Sequence, residues 1–510
     1  MLAWAFCVTG GIPVHGQTSA TIDIDTSATI PVRPNFGGFN DSAAETIEYW
    51  DQNFTALAAK LTPGWDRYPG GGTSDAFNWQ TGLEEPSWVT QFSATPTIGP
   101  LLVENENWAA DKGGGKFIDA ANRAKQLGCN IVVCVNAFTD TAASAGQMAA
   151  YAKTNSIPVV AWELANEAYN IPAPVGFAGA ADYLTKMKPF YTAIKAADPN
   201  ANVAIFLDDP GKTTGTNPSW NKNIASYSDK YWDSYTYHHY PAVSTGAFSQ
   251  WMADENGVLA TTTDAYVTGY LEPTFPGKPF LVSEYNPAYG TGGTNQGATT
   301  GTLYGALFVA EFAMRMSTVP SMLLVGSHEL PNDGGVAATN YYYTTVTAAA
   351  TAGKPIDTST LNYGYFISAQ GTGPQVLYGV LNHAVKSNKT TVTGGATVAA
   401  TGPGQVPALY ALAYTSSTGS LSLVLTNKSA TAHQVTIRVN GNAPTGTFST
   451  QFVTGTDPST KNTSNTATPV AVQTGTSANP VSVPPYSVMR IDLPSSAPKP
   501  ASPARRRKRG

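Results

Sequence analysis

Between residues 34 and 355 of the 510-residue chain, eight short apolar runs alternate with amphipathic helical patterns, and few folds accommodate that order. The runs cover 34–39, 64–69, 130–136, 158–164, 202–207, 231–238, 279–283 and 321–326. Patterns with helical spacing, several with alanine-rich faces, fall between them at 44–61, 116–127, 143–154, 178–197, 251–268 and 299–317. Repeated strand-then-helix units predict an α/β fold, a parallel sheet closed into a (β/α)8 TIM barrel with its active site at the C-terminal ends of the strands.

Beyond the barrel the period changes to two. Leu421, Leu423 and Leu425 alternate with small or polar residues, as do Val435, Ile437 and Val439, and then Met489 and Ile491. This pattern predicts a C-terminal antiparallel β-sandwich over 356–494. Ile22, Ile24 and Ile30 carry the same alternation, so residues 18–33 are expected to add an N-terminal strand to it. All ten tryptophans lie at or before Trp251, which makes the sandwich a structural support rather than a sugar-stacking module.

Charge narrows the function. Five of the 29 basic residues (Arg505, Arg506, Arg507, Lys508, Arg509) close a Ser/Pro-rich tail over 495–510, leaving 24 against 34 acidic residues elsewhere. An acidic body with no basic stripe argues against a nucleic-acid partner. No apolar run reaches the ~18 residues of a membrane span. Residues 1–17, with Leu2 to Val8 apolar and small residues near Gly16, read as a signal peptide lacking its basic start, so a secreted protein is expected. Of the three cysteines, Cys7 falls in that segment, and Cys129 and Cys134 read as buried thiols without metal-ligand spacing.

Two barrel strands end in carboxylates. The fourth continues Trp162-Glu163-Leu164-Ala165-Asn166-Glu167, and the seventh runs Val282-Ser283-Glu284-Tyr285-Asn286. An Asn-Glu pair alone is weak, since Asn105-Glu106 is a second copy, but Glu167 stands where a barrel places catalytic groups. Two glutamates on roughly opposite sides of one barrel can flank a glycosidic bond, one to protonate the leaving oxygen and one to attack the anomeric carbon.

These two runs, about 120 residues apart, resemble the retaining glycoside hydrolases of clan A over about residues 20–495. The resemblance implies that Glu167 is the acid/base and Glu284 the nucleophile, beside Asn166. Arg67 in Asp66-Arg67-Tyr68-Pro69-Gly70-Gly71 resembles the clan arginine that keeps the nucleophile ionised, and His238-His239-Tyr240 resembles its His-x-Tyr, with Tyr240 donating to the nucleophile. Within the clan the runs look most like family 51 α-L-arabinofuranosidases. Three positions depart: Gly72 replaces a sugar-binding Asn, Ala165 a Gly, and Phe39-Asn40-Asp41 a Phe-x-Glu. Gly71-Gly72-Thr73-Ser74-Asp75 and His238-His239-Tyr240 are equally similar to the β-glucuronidase and heparanase-like family 79.

Glu329, near the end of strand eight, is a rival carboxylate suited to holding sugar hydroxyls, and Trp79, Trp88, Trp108 and Trp220 are loop aromatics able to stack on sugars. The chemistry needs a carbohydrate substrate and no cofactor or metal. The alternative from another class is a non-catalytic carbohydrate-binding barrel.

Overall fold

The computed structural model describes residues 18–41, 52–88, 115–170, 176–208, 219–241, 246–287, 298–330, 339–340, 365–463 and 467–494. The expected signal segment, the basic tail and Trp108 lie outside the described residues.

Eight parallel strands close into a barrel: Gly37–Phe39, Trp65–Tyr68, Asn130–Val135, Val159–Leu164, Val203–Phe206, Ser234–His239, Phe280–Tyr285 and Met322–Ser327. They are called the first to eighth strands below. The first pairs with the eighth, Val325 opposite Gly37, and with the second, Phe39 opposite Asp66. Alternation along the fourth strand sets what faces where. Trp162 and Leu164 join the core between barrel and helices, while Ala161 joins an interior layer with Trp65, Val132, Ala204, Leu281 and Leu324. Trp65 needs room there, and glycines supply it: a Cβ on Gly38 or Gly326 would stand 2.4 or 2.3 Å from its indole. This plug closes the barrel's centre beneath the polar groups at its C-terminal mouth.

The helices Phe117–Leu127, Ala142–Thr154, Ala180–Ala197, Phe248–Thr261 and Leu303–Met316 follow the sequence reading closely. The first helix is described from Gln52, running Gln52–Ala58. A further helix, Thr372–Leu381, packs against the barrel: Tyr378 donates to the carbonyl of Gly38, and Asn382 bonds both backbone groups of Gly37. It covers the first strand although the sequence reading ends the barrel at 355.

Nine strands form the second unit, in the order Gln473–Ala478, Thr447–Val453, Ser487–Asp492, Leu421–Asn427, Leu409–Ser416, Ala384–Gly394, Thr18–Pro31, His433–Val439, Val481–Val483. All neighbours are antiparallel except one pair: the N-terminal strand runs parallel to His433–Val439 while pairing antiparallel with Ala384–Gly394. Inward residues of these strands, among them Ile22, Ile24, Leu423, Leu425, Val435, Ile437 and Ile491, share one buried core. Period-two patterning in both terminal segments thus produces one sheet, in which their alternate apolar residues line a common buried face.

The two units are joined by buried charge. Glu311 of the helix Leu303–Met316 receives Lys428 Nζ at 3.0 Å, the Thr426 hydroxyl at 2.9 Å and Arg315 at 2.9 Å.

Candidate active site

Arg67 organises the mouth of the barrel. Its guanidinium, wholly buried, projects from the second strand and donates to four oxygens: Glu163 Oε2 at 2.7 Å, Asn40 Oδ1 at 2.9 Å, Glu284 Oε1 at 2.5 Å and Asn166 Oδ1 at 3.0 Å. Those partners follow or end the first, fourth and seventh strands, so one side chain ties the C-terminal ends of the barrel together. Burial alone would lower its basicity, but Glu163 and Glu284 outweigh that and hold Arg67 protonated.

Glu284 lies at the centre. Tyr240 donates to its Oε2 at 2.6 Å, His238 Nδ1 stands 3.2 Å from the same oxygen, and His328 Nδ1 stands 3.6 Å away. Burial pushes the Glu284 carboxyl up, yet His238, His328 and Arg67 together outweigh burial and the repulsion of Glu167, and hold it below the usual glutamate range.

Glu167 closes the cluster from the fourth strand. His238 Nδ1 lies 2.8 Å from its Oε1, Tyr169 donates to Oε1 at 3.0 Å, and Asn170 Nδ2 bonds Oε2. One oxygen of Glu167, one of Glu284 and a ring nitrogen of His238 lie within 4.8 Å of one another. The Glu167 side chain keeps 19% exposure against 7% for Glu284, so it forms the outer member of the pair. Backbone geometry turns it there: Ala165 at φ 75° and Glu167 at φ 41° both take left-handed conformations that cost L-residues energy. Gly70 (φ 68°) is required for another reason, since a Cβ there would stand 1.7 Å from the Asp41 carbonyl.

Six of the residues expected from sequence therefore meet in one cluster: Arg67, Asn166, Glu167, His238, Tyr240 and Glu284. Glu329 is buried at its edge, 3.8 Å from His328 Nε2. Trp79 sits elsewhere. It packs on Phe117 and Tyr151 and donates to Ser144 Oγ at 3.0 Å, which makes it a wedge between helices rather than a sugar platform. Trp88 stacks on Phe138, and Trp220 is buried with its N–H on the Phe206 carbonyl. Both expected thiols are free and buried, Cys134 beneath Arg67 and Ser74.

Sequence reasoning passed over Glu163 and His328. Glu163 accepts from Arg67 and from Thr236 Oγ1 at 2.6 Å, and its signal was an acidic residue at an inward position of an apolar strand. His328 directly follows the eighth strand, where Asn40 Nδ2 lies 2.8 Å from its Nδ1.

No protein-family model and no curated protein matches the sequence. Solved structures do match the fold. A GH51 arabinofuranosidase from Xanthomonas axonopodis pv. citri superimposes with a TM-score of 0.67 at 16% identity, covering 94% of this chain and 100% of that one. An α-L-arabinofuranosidase from Thermotoga maritima, solved with arabinose, gives 0.65 at 16% identity, covering 93% and 100%. A 4-O-α-L-rhamnosyl-β-D-glucuronidase from Fusarium oxysporum 12S gives 0.57 at 14% identity, covering 92% and 100%. The chain thus has the TIM-barrel-plus-β-sheet architecture of these glycoside hydrolase structures.

Proposed function

We propose that the protein is a retaining glycoside hydrolase acting on a neutral sugar, α-L-arabinofuranosidase-like, with Glu284 as nucleophile and Glu167 as acid/base. The observation that carries this reading is the carboxylate pair, with oxygens of Glu167 and Glu284 inside a 4.8 Å cluster. Retaining enzymes hold their carboxyl groups about 5–5.5 Å apart, whereas inversion needs about 6.5–9.5 Å to admit a water. The close pair favours double displacement.

Their surroundings divide the labour. Glu284, buried and held ionised by His238, His328 and Arg67, attacks the anomeric carbon as the bond to the leaving oxygen breaks. Glu167, nearer solvent, gives that oxygen its proton. A glycosyl ester of Glu284 results. Glu167 then takes a proton from water, whose oxygen attacks the anomeric carbon and frees Glu284.

A neutral glycone is favoured by the arginine inventory, because a uronic carboxylate is held best by charge-assisted donors. The span 34–355 contains three arginines, each engaged: Arg67 as above, Arg123 with Asp41 at 3.3 Å and Asp66 at 3.8 Å, and Arg315 with Glu311 and Asp264. The test is kcat/KM on nitrophenyl α-L-arabinofuranoside, β-glucuronide, β-xyloside and β-glucoside. The arabinofuranoside is expected to lead. A leading glucuronide would move the protein to the glucuronidase alternative, and binding without turnover of any glycoside would make it a carbohydrate-binding barrel.

A further inference from the structure

Asp75 is a carboxylate that stability alone does not explain. It lies in the short turn Gly72–Ala76 after the second strand and is completely buried. Its Oδ1 accepts the backbone N–H of Asn166 at 2.9 Å, while its Oδ2 has no hydrogen-bond partner among the described residues. A carboxyl group taken out of water for one hydrogen bond costs folding free energy, and burial pushes its pKa well up despite the Asn166 N–H and Arg67.

What that bond holds is the turn carrying Glu167. Asn166 stands between Ala165 and Glu167, the two left-handed residues that lift the acidic side chain over the mouth. Strained backbone persists only where its surroundings over-determine it. Asn166 is gripped twice, by Asp75 at its backbone and by Arg67 at its side chain. Asp75 is fixed in turn, its carbonyl accepting the Phe138 N–H at 3.1 Å from the loop after the third strand. The second, third and fourth strand ends thereby meet at one residue, its side chain holding the fourth and its backbone carbonyl the third.

We propose that Asp75 is the positioning residue for the acid/base, holding the Asn166-Glu167 turn so that the Glu167 carboxyl faces the leaving oxygen opposite Glu284. The assignment rests on the glycosidase reading. It predicts a specific signature, because a misplaced acid matters only when the leaving group needs a proton.

The experiment compares Asp75→Ala and Asp75→Asn with the parent on two glycosides of the same sugar, one with a dinitrophenyl leaving group and one with a methyl leaving group. Asparagine keeps an oxygen for the Asn166 N–H and alanine does not. For Asp75→Ala, kcat/KM on the methyl glycoside is expected to fall roughly 10–100-fold, the scale of a misplaced catalytic group, with under about 3-fold loss on the dinitrophenyl glycoside. Asp75→Asn should stay within about 3-fold on both, since the rescuing oxygen restores the geometry. Where the alanine protein does not fold, Asp75→Ser, too short to reach Asn166, takes its place. Equal losses on both substrates, or none on either, overturn the assignment while leaving the parent's glycosidase activity standing. Failure of the parent to hydrolyse any glycoside overturns the glycosidase reading and this assignment with it.

Discussion

Tyr240 donates its hydroxyl hydrogen to Glu284 Oε2 across 2.6 Å, on the oxygen that Arg67 does not hold. Each carboxylate oxygen thus has its own donor, and both donors favour the charged form. Tyr240→Phe removes one of them. A hydrogen bond to a charged group is worth roughly 1.5–3 kcal/mol, so kcat/KM should fall about 10–150-fold. With less to favour its ionised form, Glu284 should titrate higher, moving the acid limb of the pH–rate profile to higher pH. An unchanged acid limb would show that Tyr240 does not act on the nucleophile.

Replacing the nucleophile separates the two chemical steps. Glu284→Ala should abolish turnover, and azide, small enough for the vacated space, should partly restore it and yield a glycosyl azide of inverted configuration. Glu167→Ala should instead spare activated leaving groups and lose natural ones. Product configuration read by proton NMR checks the first, and rates across a leaving-group series check the second. Rescue by azide in the Glu167 variant alone would exchange the two roles.

The link between the two units is testable through stability. Glu311 is buried against Lys428, Arg315 and Thr426, and although burial pushes its carboxyl up, Lys428 and Arg315 hold it below the usual glutamate range. Glu311→Ala leaves Lys428 buried without its carboxylate, which should cost roughly 3–5 kcal/mol in denaturant unfolding. Glu311→Leu combined with Lys428→Met should lose less than Glu311→Leu alone, because no unpaired ammonium remains. A depressed carboxyl stabilises above its unfolded value, about pH 4.3, and that contribution disappears as pH falls through the lower folded value. A double variant less stable than the single one would refute the account.

The parts of this architecture legible in sequence are those fixed by local pattern. The fourth and seventh strands fall within two residues of their apolar runs, because a parallel strand buried on both faces has few polar interruptions. Position at a strand end then singled out Glu167 and Glu284 from the other acidic residues. The helix Thr372–Leu381 escaped because Gly373, Pro374 and Gly379 weaken its propensity and burial on most sides leaves it no polar face, although Val376, Leu377, Val380 and Leu381 keep helical spacing. Trp79 was misplaced because an aromatic in a loop reads alike as platform or wedge, and only contact with Phe117 and Tyr151 decides. Asp75 and His328 were invisible in their present settings because their partners, Asn166 and Asn40, lie 91 and 288 positions away in the chain.

Asp66 gives a prediction about pH. It precedes Arg67 on the second strand, is buried, and shares Arg123 with Asp41 over a long 3.8 Å contact. Burial dominates Arg123 here, and the Asp66 carboxyl is pushed up to about 6. The sign is therefore opposite to that of Glu311. Below about pH 4 both folded and unfolded chains hold this proton. Between that value and about 6 the folded chain keeps a proton that the unfolded chain has released, so the site's contribution to stability falls as pH rises through the window. Above it, the folded protein carries a charge it would be more stable without. Asp66→Asn should accordingly match the parent near pH 4 and exceed it by on the order of 1–3 kcal/mol at neutral pH, with Arg123 retained by Asp41. Urea unfolding of both proteins across this range measures the difference, and a stability gap that stays flat or narrows with rising pH would contradict the raised carboxyl.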